Sequence, residues 1–317
     1  MADVNLGVLA ATTLQNYHKK LVDNIFKKHA LLDHLKNNGG TKMYDGGRQL
    51  VAPVMYGSNT TAMRFSGVDT LDNTYQDGID ASTWDWKYYN VAISFSLEDK
   101  SKNRGKSQVV NLLEGKIKQA ELSLAEMLNT DLITGTNAKG LVGLDTIIGT
   151  TTTAGNINGT TYTWWRSSVD STAEVLSFAD MRTAKNTANN GNGGSKVSLI
   201  VTTQALYEKI FALLTASYYM NSQLVTKESK RLADASFEAI EFEGVPVVYD
   251  EAVSTGIMYF INVDNYKLGI LEDLNFKVIN KSEPTDQHVE ITDIVFGGAA
   301  YTDRRASLAK LTGKTTS

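Results

Sequence analysis

The chain has 317 residues, 42% hydrophobic and 21% charged, with net charge −4: enough for one large domain or two ordinary ones, and too acidic overall for a whole-chain nucleic-acid binder. Cysteine is absent, which excludes disulfides, thiolate catalysis and cysteine metal sites and fits a reducing cytoplasm. No run reaches the roughly 18 apolar residues of a membrane helix, and the first 20 residues place no basic region ahead of their short apolar patch, so they make a poor secretory signal.

Residues 1–45 read as an arm with one amphipathic helix over Leu14–Leu35, where Leu14, Leu21, Ile25, Leu32 and Leu35 share a face. Asn37-Asn38-Gly39-Gly40 stops it. Arg48–Tyr56 predicts a strand and Trp84–Leu97 its return partner, with Val91, Ile93, Phe95 and Leu97 alternating. Between them runs a polar, glycine-dotted tip, Gly57–Gly78. An isolated two-stranded ribbon is marginal in water, so this excursion is expected to lie across another surface.

The strongest helix follows, Ser107–Ile133, with Leu113, Ile117, Ala120, Leu124 and Met127 as its stripe; Gly135 and the turn Thr136–Gly143 close it. Residues 149–172, rich in Thr, Gly and Asn and carrying Trp164 and Trp165, predict a long loop or short hairpin with a functional or interfacial role. A second helix starts at Ser177, with Asp180 in the capping-box place, and ends before Asn189–Gly194. Ser198–Thr202 predicts a buried strand and Gln204–Ala216 a helix; residues 221–239 are polar and receive no assignment. Strands are expected at Gly244–Tyr249, Ile257–Val263, Lys267–Leu271 and Phe276–Asn280. A turn falls at Glu283–Asp286, and His288–Ala309 reads as one long extended segment. Its apolar phase changes between Ile291 and Ile294, suggesting a bulge or twist.

The two ends are basic. Residues 1–48 carry seven Lys/Arg against four Asp, and residues 301–317 carry Arg304, Arg305, Lys310 and Lys314 against Asp303, +3 in each case. A solvated surface is the default reading; proximity to anionic DNA through nonspecific phosphate attraction is the functional one.

Catalytic motifs are missing where they would be expected. Gly105-Lys106-Ser107 resembles the end of a phosphate-binding loop, but Lys100 stands where that motif needs glycine, so Ser107 reads as a helix cap. Asn190–Lys196 is glycine-rich but leads into a strand, offering no helix dipole to an anion. The four histidines, His18, His29, His34 and His288, have no metal-ligand spacing. His29 and His34 diverge by roughly 140° around a helix and read as surface or packing residues. There is no GxSxG elbow. The carboxylate pairs Glu98-Asp99, Asp250-Glu251 and Glu272-Asp273 sit at element ends, where turn chemistry explains them. The aromatic group Trp84, Trp86, Tyr88 and Tyr89 fits packing or an interface better than base stacking. No catalytic residue, cofactor or metal site is expected.

The order of elements, together with local stretches, resembles the major capsid (coat) proteins of tailed bacteriophages with the Hong Kong 97 phage capsid fold. The stretches are WDWKYYNVAISFSLEDKSKNRGKSQVVNLLEGKIKQAELSLAEMLNTDLI, KGLVGLDTII, SLIVTTQALYEKIFALL, FEGVPVVYDEAV with MYFINVDNYKLGI, and HVEITDIVFGGAAYTDRRASLAKLTG. The resemblance implies an α+β fold with an N-terminal arm (1–45), an extended β-hairpin loop (46–98), a peripheral domain with the spine helix (99–176 and 272–317) and an axial domain (177–271).

It further implies many copies, as pentamers and hexamers, forming an icosahedral shell around double-stranded DNA held by nonspecific contact. Separate scaffolding and portal proteins are expected as partners, and no membrane. Some members crosslink a loop lysine to a neighbour's asparagine, but the tip Gly57–Gly78 has no lysine, so no crosslink is expected. Some also carry a scaffolding segment ahead of the arm, and this sequence starts almost at the arm, hence the separate scaffold. The expected inter-subunit contacts are Trp84, Trp86 and Tyr88, the arm's Lys19, Lys20, Lys27 and Lys28, and the tip's Arg64 with Asp69 or Asp72. Two other readings remain open: an encapsulin-like shell around a cargo enzyme, and a soluble hydrolase or glycan-binding domain.

Overall fold

In the computed structural model, residues 29–96, 98, 112–135, 137–190, 196–217, 240–280 and 289–317 are described. The arm residues 1–28, residues 99–111 with the expected helix start at Ser107, and the stretches 218–239 and 281–288, with the expected turn at Glu283–Asp286 and His288, lie outside them. The chain divides into two compact units: Lys28–Tyr88, Leu128–Asp273 and Gly297–Ser317 in the larger, Met1–Lys27, Tyr89–Met127 and Leu274–Phe296 in the smaller.

In the larger unit, helix α1 (Ala30–Asn37) buries Ala30, Leu31, His34 and Leu35. It stops where the glycines begin, as expected. His34 is a packing histidine, its Nε2 3.2 Å from Ser198 Oγ. Strand β1 (Thr41–Tyr44) follows. Strands β2 (Gln49–Met55) and β3 (Ile79–Asp85) then pair antiparallel over their full length.

The return strand is therefore not Trp84–Leu97. It starts at Ile79 and stops at Asp85, and residues Lys87–Ser96 form a separate strand, β4. The reason is a change of phase. Ser82, Trp84 and Trp86 are buried at even positions, whereas Tyr89 and Ile93 are buried at odd ones, and a one-residue slip turns every side chain to the other face. Trp86 occupies the break, its ring edge-on to Tyr44 at 5.8 Å.

Helix α2 (Leu112–Ile133) is the spine, about 33 Å long at roughly 1.5 Å per residue. Its buried stripe is Ala120, Leu124, Leu128 and Leu132, and Met127 is exposed; the steps are all of four, so the expected step of three onto Met127 points off the stripe. Gly135, at φ +54°, ends it, and a Cβ there would collide with the Gly143 backbone. The chain thus crosses itself glycine on glycine.

After helix α3 (Leu144–Ile147), the Thr-rich insert forms a two-residue hairpin, β5 (Thr153–Ala154) and β6 (Ile157–Asn158), and a 3-10 turn at Thr163–Trp165. It then supplies a sheet strand, β7 (Ser168–Asp170), and β8 (Glu174–Val175). Helix α4 (Phe178–Asn189) opens on the expected box, with Ser177 Oγ accepting from the Asp180 N–H and Asp180 accepting from the Ser177 N–H. Next come β9 (Leu199–Thr202) and α5 (Gln204–Ser217). Strands β10 (Ile240–Phe242), β11 (Val245–Tyr249), β12 (Met258–Ile261) and β13 (Tyr266–Leu271) follow, then β14 (Lys277–Asn280) and β15 (Val289–Thr302). The expected long segment His288–Ala309 thus ends as a strand at Thr302. A 3-10 turn, Arg305–Ser307, leads to β16 (Ala309–Leu311) and β17 (Lys314–Thr315).

One sheet of the larger unit has the order β10-β11-β9-β12-β16-β7. Strands β9 and β12 are buried at every residue, the continuous apolar reading of a strand covered on both faces. Ile200, Val247 and Phe260 join Met181, Ala184 and Ala188 of α4 and Leu206, Tyr207 and Ile210 of α5 in its core. Elsewhere in this unit β13 lies between β1, parallel to it, and the last residues of β15, antiparallel. The hydroxyls of Tyr44 and Tyr301 meet at 2.9 Å. In the smaller unit β14 pairs with β15 from Lys277↔Val295 to Asn280↔Thr292, and Phe296 collects the rings of Tyr89 (6.3 Å) and Phe276 (5.1 Å).

Two cations near the C-terminus hold the larger unit together. Of the basic residues in 301–317, Arg305 and Lys314 are therefore not solvated surface, while Arg304 is exposed. Arg305 is buried, and its partners among the described residues are carbonyls and a hydroxyl. Its Nε donates to the Ile147 carbonyl (2.6 Å), Nη1 to the carbonyls of Thr152 (3.1 Å) and Trp165 (2.9 Å), and Nη2 to the Gly149 carbonyl (3.0 Å) and Thr152 Oγ1 (2.7 Å). Burial pulls its pKa down to about 10, which leaves it charged at neutral pH.

Lys314 has a fully buried side chain among Glu174 (2.6 Å), Asp170 (2.9 Å) and Asp180 (3.7 Å). Burial alone would lower its pKa, and the hydrogen bonds to Glu174 and Asp170 with the Asp180 charge raise it instead. Asp170 is held at about 2, first by the Thr172 N–H and then by Lys314. Lys310 is committed too, at 2.8 Å from Asp145.

Candidate assembly surface

The β2–β3 ribbon has two apolar faces, because its first strand reads Leu-Val-Ala-Pro-Val-Met without alternation. On the inner face Leu50 stands opposite Trp84, Ala52 opposite Ser82 and Val54 opposite Asp80, and Leu50, Ala52, Val54, Ser82 and Trp84 are buried. Ser82 Oγ donates to the Ala52 carbonyl (3.3 Å) and receives the Trp84 Nε1–H (3.1 Å), so the indole is satisfied inside its own subunit.

The insert roofs this face. The Thr83 N–H donates to the Gly155 carbonyl (2.9 Å) and Asn156 Nδ2 to Thr83 Oγ1 (2.8 Å). A Cβ on Gly155 would lie 2.7 Å from Ser82 Cβ and 2.9 Å from Trp84 Cζ2, so only glycine permits the approach. At the end of the ribbon Tyr56 stacks on Trp164, rings 4.8 Å apart and 17° from parallel. The Tyr56 hydroxyl is pushed up in pKa by partial desolvation and by Asp77 and Asp80.

The outer face is bare. Val51 (57% exposed), Met55 (77%) and Ile79 (68%) point outward, and Pro53 and Ala81 are exposed beside them. The face continues into the tip, where Met63, Phe65, Val68, Leu71 and Tyr75 are exposed. The tip is shaped by its own side chains: Asp69 accepts the Ser66 N–H (2.8 Å), Asp72 accepts the N–H and hydroxyl of Thr74, and Thr60 donates to Gln76 (2.8 Å). The Thr74 bonds hold the Asp72 carboxyl below its usual range. Exposed apolar side chains gathered on one ribbon face mark a contact site.

The expected contact residues divide by position. Arg64, Asp69 and Asp72 are exposed on the tip and Tyr88 is exposed at 59%. Trp84 and Trp86 are buried in their own chain, and among the described residues the Trp86 Nε1–H has no hydrogen-bond partner. Lys19, Lys20, Lys27 and Lys28 lie outside the described residues. Sequence reasoning passed over Val51, Met55 and Ile79. The signal was present: an apolar run on a two-stranded ribbon asks for burial on both faces.

No family model matches the sequence, and no curated protein matches it either. Among solved structures the chain is similar to the capsid subunit of cyanophage A-1(L): 18% identity, TM-score 0.73, 97% of this chain and 99% of that chain covered. It is similar to the capsid subunit of a native GTA particle, at 11% identity and TM-score 0.68, covering 98% of this chain and 100% of that chain. A third likeness is to the SrpI encapsulin of Synechococcus elongatus PCC 7942, at 11% identity and TM-score 0.65 over 98% of this chain and 96% of that one. Over nearly its whole length, then, the chain has the α+β fold of phage capsid subunits.

Proposed function

We propose that this protein is a major capsid protein, a structural subunit that self-assembles into an icosahedral head shell enclosing a phage genome. The observation that carries the reading is the ribbon's second apolar face, exposed in the single chain on a fold whose solved examples build shells. Removing such a face from water favours association, about 25 cal/mol per Å² of apolar surface, and repetition around a closed shell makes modest contacts cumulative. Residues 1–45 would be the arm, 46–98 the reaching loop, 99–176 with 272–317 the peripheral domain and 177–271 the axial domain. Pentamers and hexamers of the chain, separate scaffolding and portal proteins, and double-stranded DNA held without sequence preference complete the assembly, made in the bacterial cytoplasm and residing in the virion.

Negative-stain electron microscopy of the purified chain, with and without its neighbouring phage proteins, tests this. Closed shells, tubes or capsomer rings support it, and a monomer under every assembly condition overturns it. The likeness to the SrpI encapsulin keeps a second reading, a cargo-enclosing compartment; nuclease-protected DNA inside purified particles separates the two.

A further inference from the structure

The leg by which the chain enters the ribbon is loose. Gly46 and Gly47 lead into β2 at φ +148° and +115°, both exposed, and a Cβ on Gly46 would meet nothing within 4 Å. A two-stranded ribbon on such a leg has no fixed direction of its own, since an isolated pair is marginal in water. Its direction has to come from contacts with another element.

The insert supplies them at two levels. The turn of the β5–β6 hairpin is Gly155-Asn156, both at φ +62°, the backbone of a tight two-residue turn. It sits against the middle of β3, where Thr83 bonds to both of its residues. The Tyr56–Trp164 stack lies five residues along the ribbon from Val51, the partner of Thr83, roughly 16 Å away at the usual rise of a strand. Two contacts so far apart resist rotation about the leg, which a single contact would not.

The insert is itself held rigidly. Arg305 gathers its carbonyls at Gly149, Thr152 and Trp165, and Ser167 Oγ donates back to the Arg305 carbonyl at 2.9 Å. Trp165 Nε1 donates to the Ala154 carbonyl (2.9 Å) and Arg166 Nε to the Gly159 carbonyl (2.6 Å). Trp165 and Arg305 are both buried, so the frame is anchored inside the larger unit.

We infer that Trp164 and Asn156, on the frame fixed by Arg305, are positioning residues for the assembly surface. They set the direction of the ribbon in the free subunit, so that Val51, Met55 and Ile79 meet a neighbour already aligned. The inference rests on the shell reading and adds how its contact surface is held. A preset direction lowers the ordering cost of each docking step, and loosening the ribbon therefore slows assembly without unfolding the subunit.

The test compares unassembled wild type with W164A/N156A. Hydrogen exchange of the amides in 49–56 and 79–85 should be roughly tenfold faster in the variant, the size expected for one lost ring stack and one lost hydrogen bond, while the β9 and β12 amides keep their protection. Shell growth followed by light scattering should slow in step, and W164F, which can still stack, should stay near wild type in both. The chain has no cysteine, so T83C/N156C can be joined at one place by a short bismaleimide, and the joined subunit should build shells of normal size. Ribbon amides that exchange alike in wild type and W164A/N156A would overturn the role, as would a loosened ribbon that assembles at the wild-type rate. So would a joined T83C/N156C subunit that fails where the unjoined form assembles. A wild type that never forms particles removes the shell reading and this role with it, and its own lack of particles tells that failure from the others.

Discussion

Arg305 and Ile147 are joined by a 2.6 Å hydrogen bond from Nε to the carbonyl, across 158 residues of sequence. The same guanidinium reaches Thr152, Gly149 and Trp165, so one side chain satisfies the carbonyls of a stretch with almost no regular structure. Replacing Arg305 with Met keeps the volume and strands those carbonyls. With unsatisfied buried groups costing about 1–3 kcal/mol each, partly relieved by water, R305M should lose roughly 3–5 kcal/mol in urea unfolding of the unassembled subunit. R305K, which cannot fork, should recover less than half of that. An unchanged urea midpoint in R305M would remove the arginine from this role.

The spine's end makes a sharper demand. A Cβ on Gly143 would sit 2.8 Å from the Asp131 carbonyl oxygen and closer still to Gly135, so G143A must push backbone from backbone. We expect a loss of roughly 2–4 kcal/mol, in the range of overpacked cores. Gly67 is the control: its φ is +61° with nothing near its missing Cβ, and G67A should cost only about 1 kcal/mol of left-handed strain. Equal melting shifts for the two would contradict the contact.

The Lys314 cluster predicts a pH profile. Asp170 is lowered from 3.8 to about 2, so its stabilisation is present above about pH 4 and is lost as pH falls through 2. Lys314 is raised above 10.5, so its share is present below that value and lost only at stronger alkali. Between pH 5 and 9 the Asp170–Lys314 pair contributes a constant amount. In K314M three carboxylates face one another without a cation, a repulsion that acid relieves. The gap in urea midpoint between wild type and K314M should be largest near pH 7 and narrow toward pH 3; a gap that widens in acid would rule the arrangement out.

The two ribbon faces should separate folding from assembly. Trp84→Ala on the inner face should cost about 3–5 kcal/mol, the range for a buried aromatic, visible in a circular-dichroism melt. The double variant M55E/I79E on the outer face should melt within about 0.5 kcal/mol of wild type, while sedimentation shows particles lost. Normal particles from M55E/I79E would deny the outer face its role.

How far the residues disclose this varies with the physics behind each signal. The Ser177–Asp180 cap, the buried strand Leu199–Thr202 and the glycine stop after Asn37 were legible because each rests on neighbours in sequence. The division between β3 and β4 was half-legible: Trp84 and Trp86 keep one parity and Val91 and Ile93 the other, yet a phase change inside an apolar run is easily read as one strand. Arg305 and Lys314 were misread as surface, since nothing local tells that carbonyls from residues 147–165, or carboxylates from 170, 174 and 180, converge on them. Strand β7 was missed because three residues are too few to show a period.

The outer ribbon face also makes demands on the single chain before any neighbour arrives. Val51, Met55 and Ile79 are then in water, on a strand pair whose exposed apolar side invites indiscriminate adhesion. A free subunit is therefore metastable as a solute. Its usable concentration has a ceiling set by clumping, and its production must be matched in time to whatever covers that face.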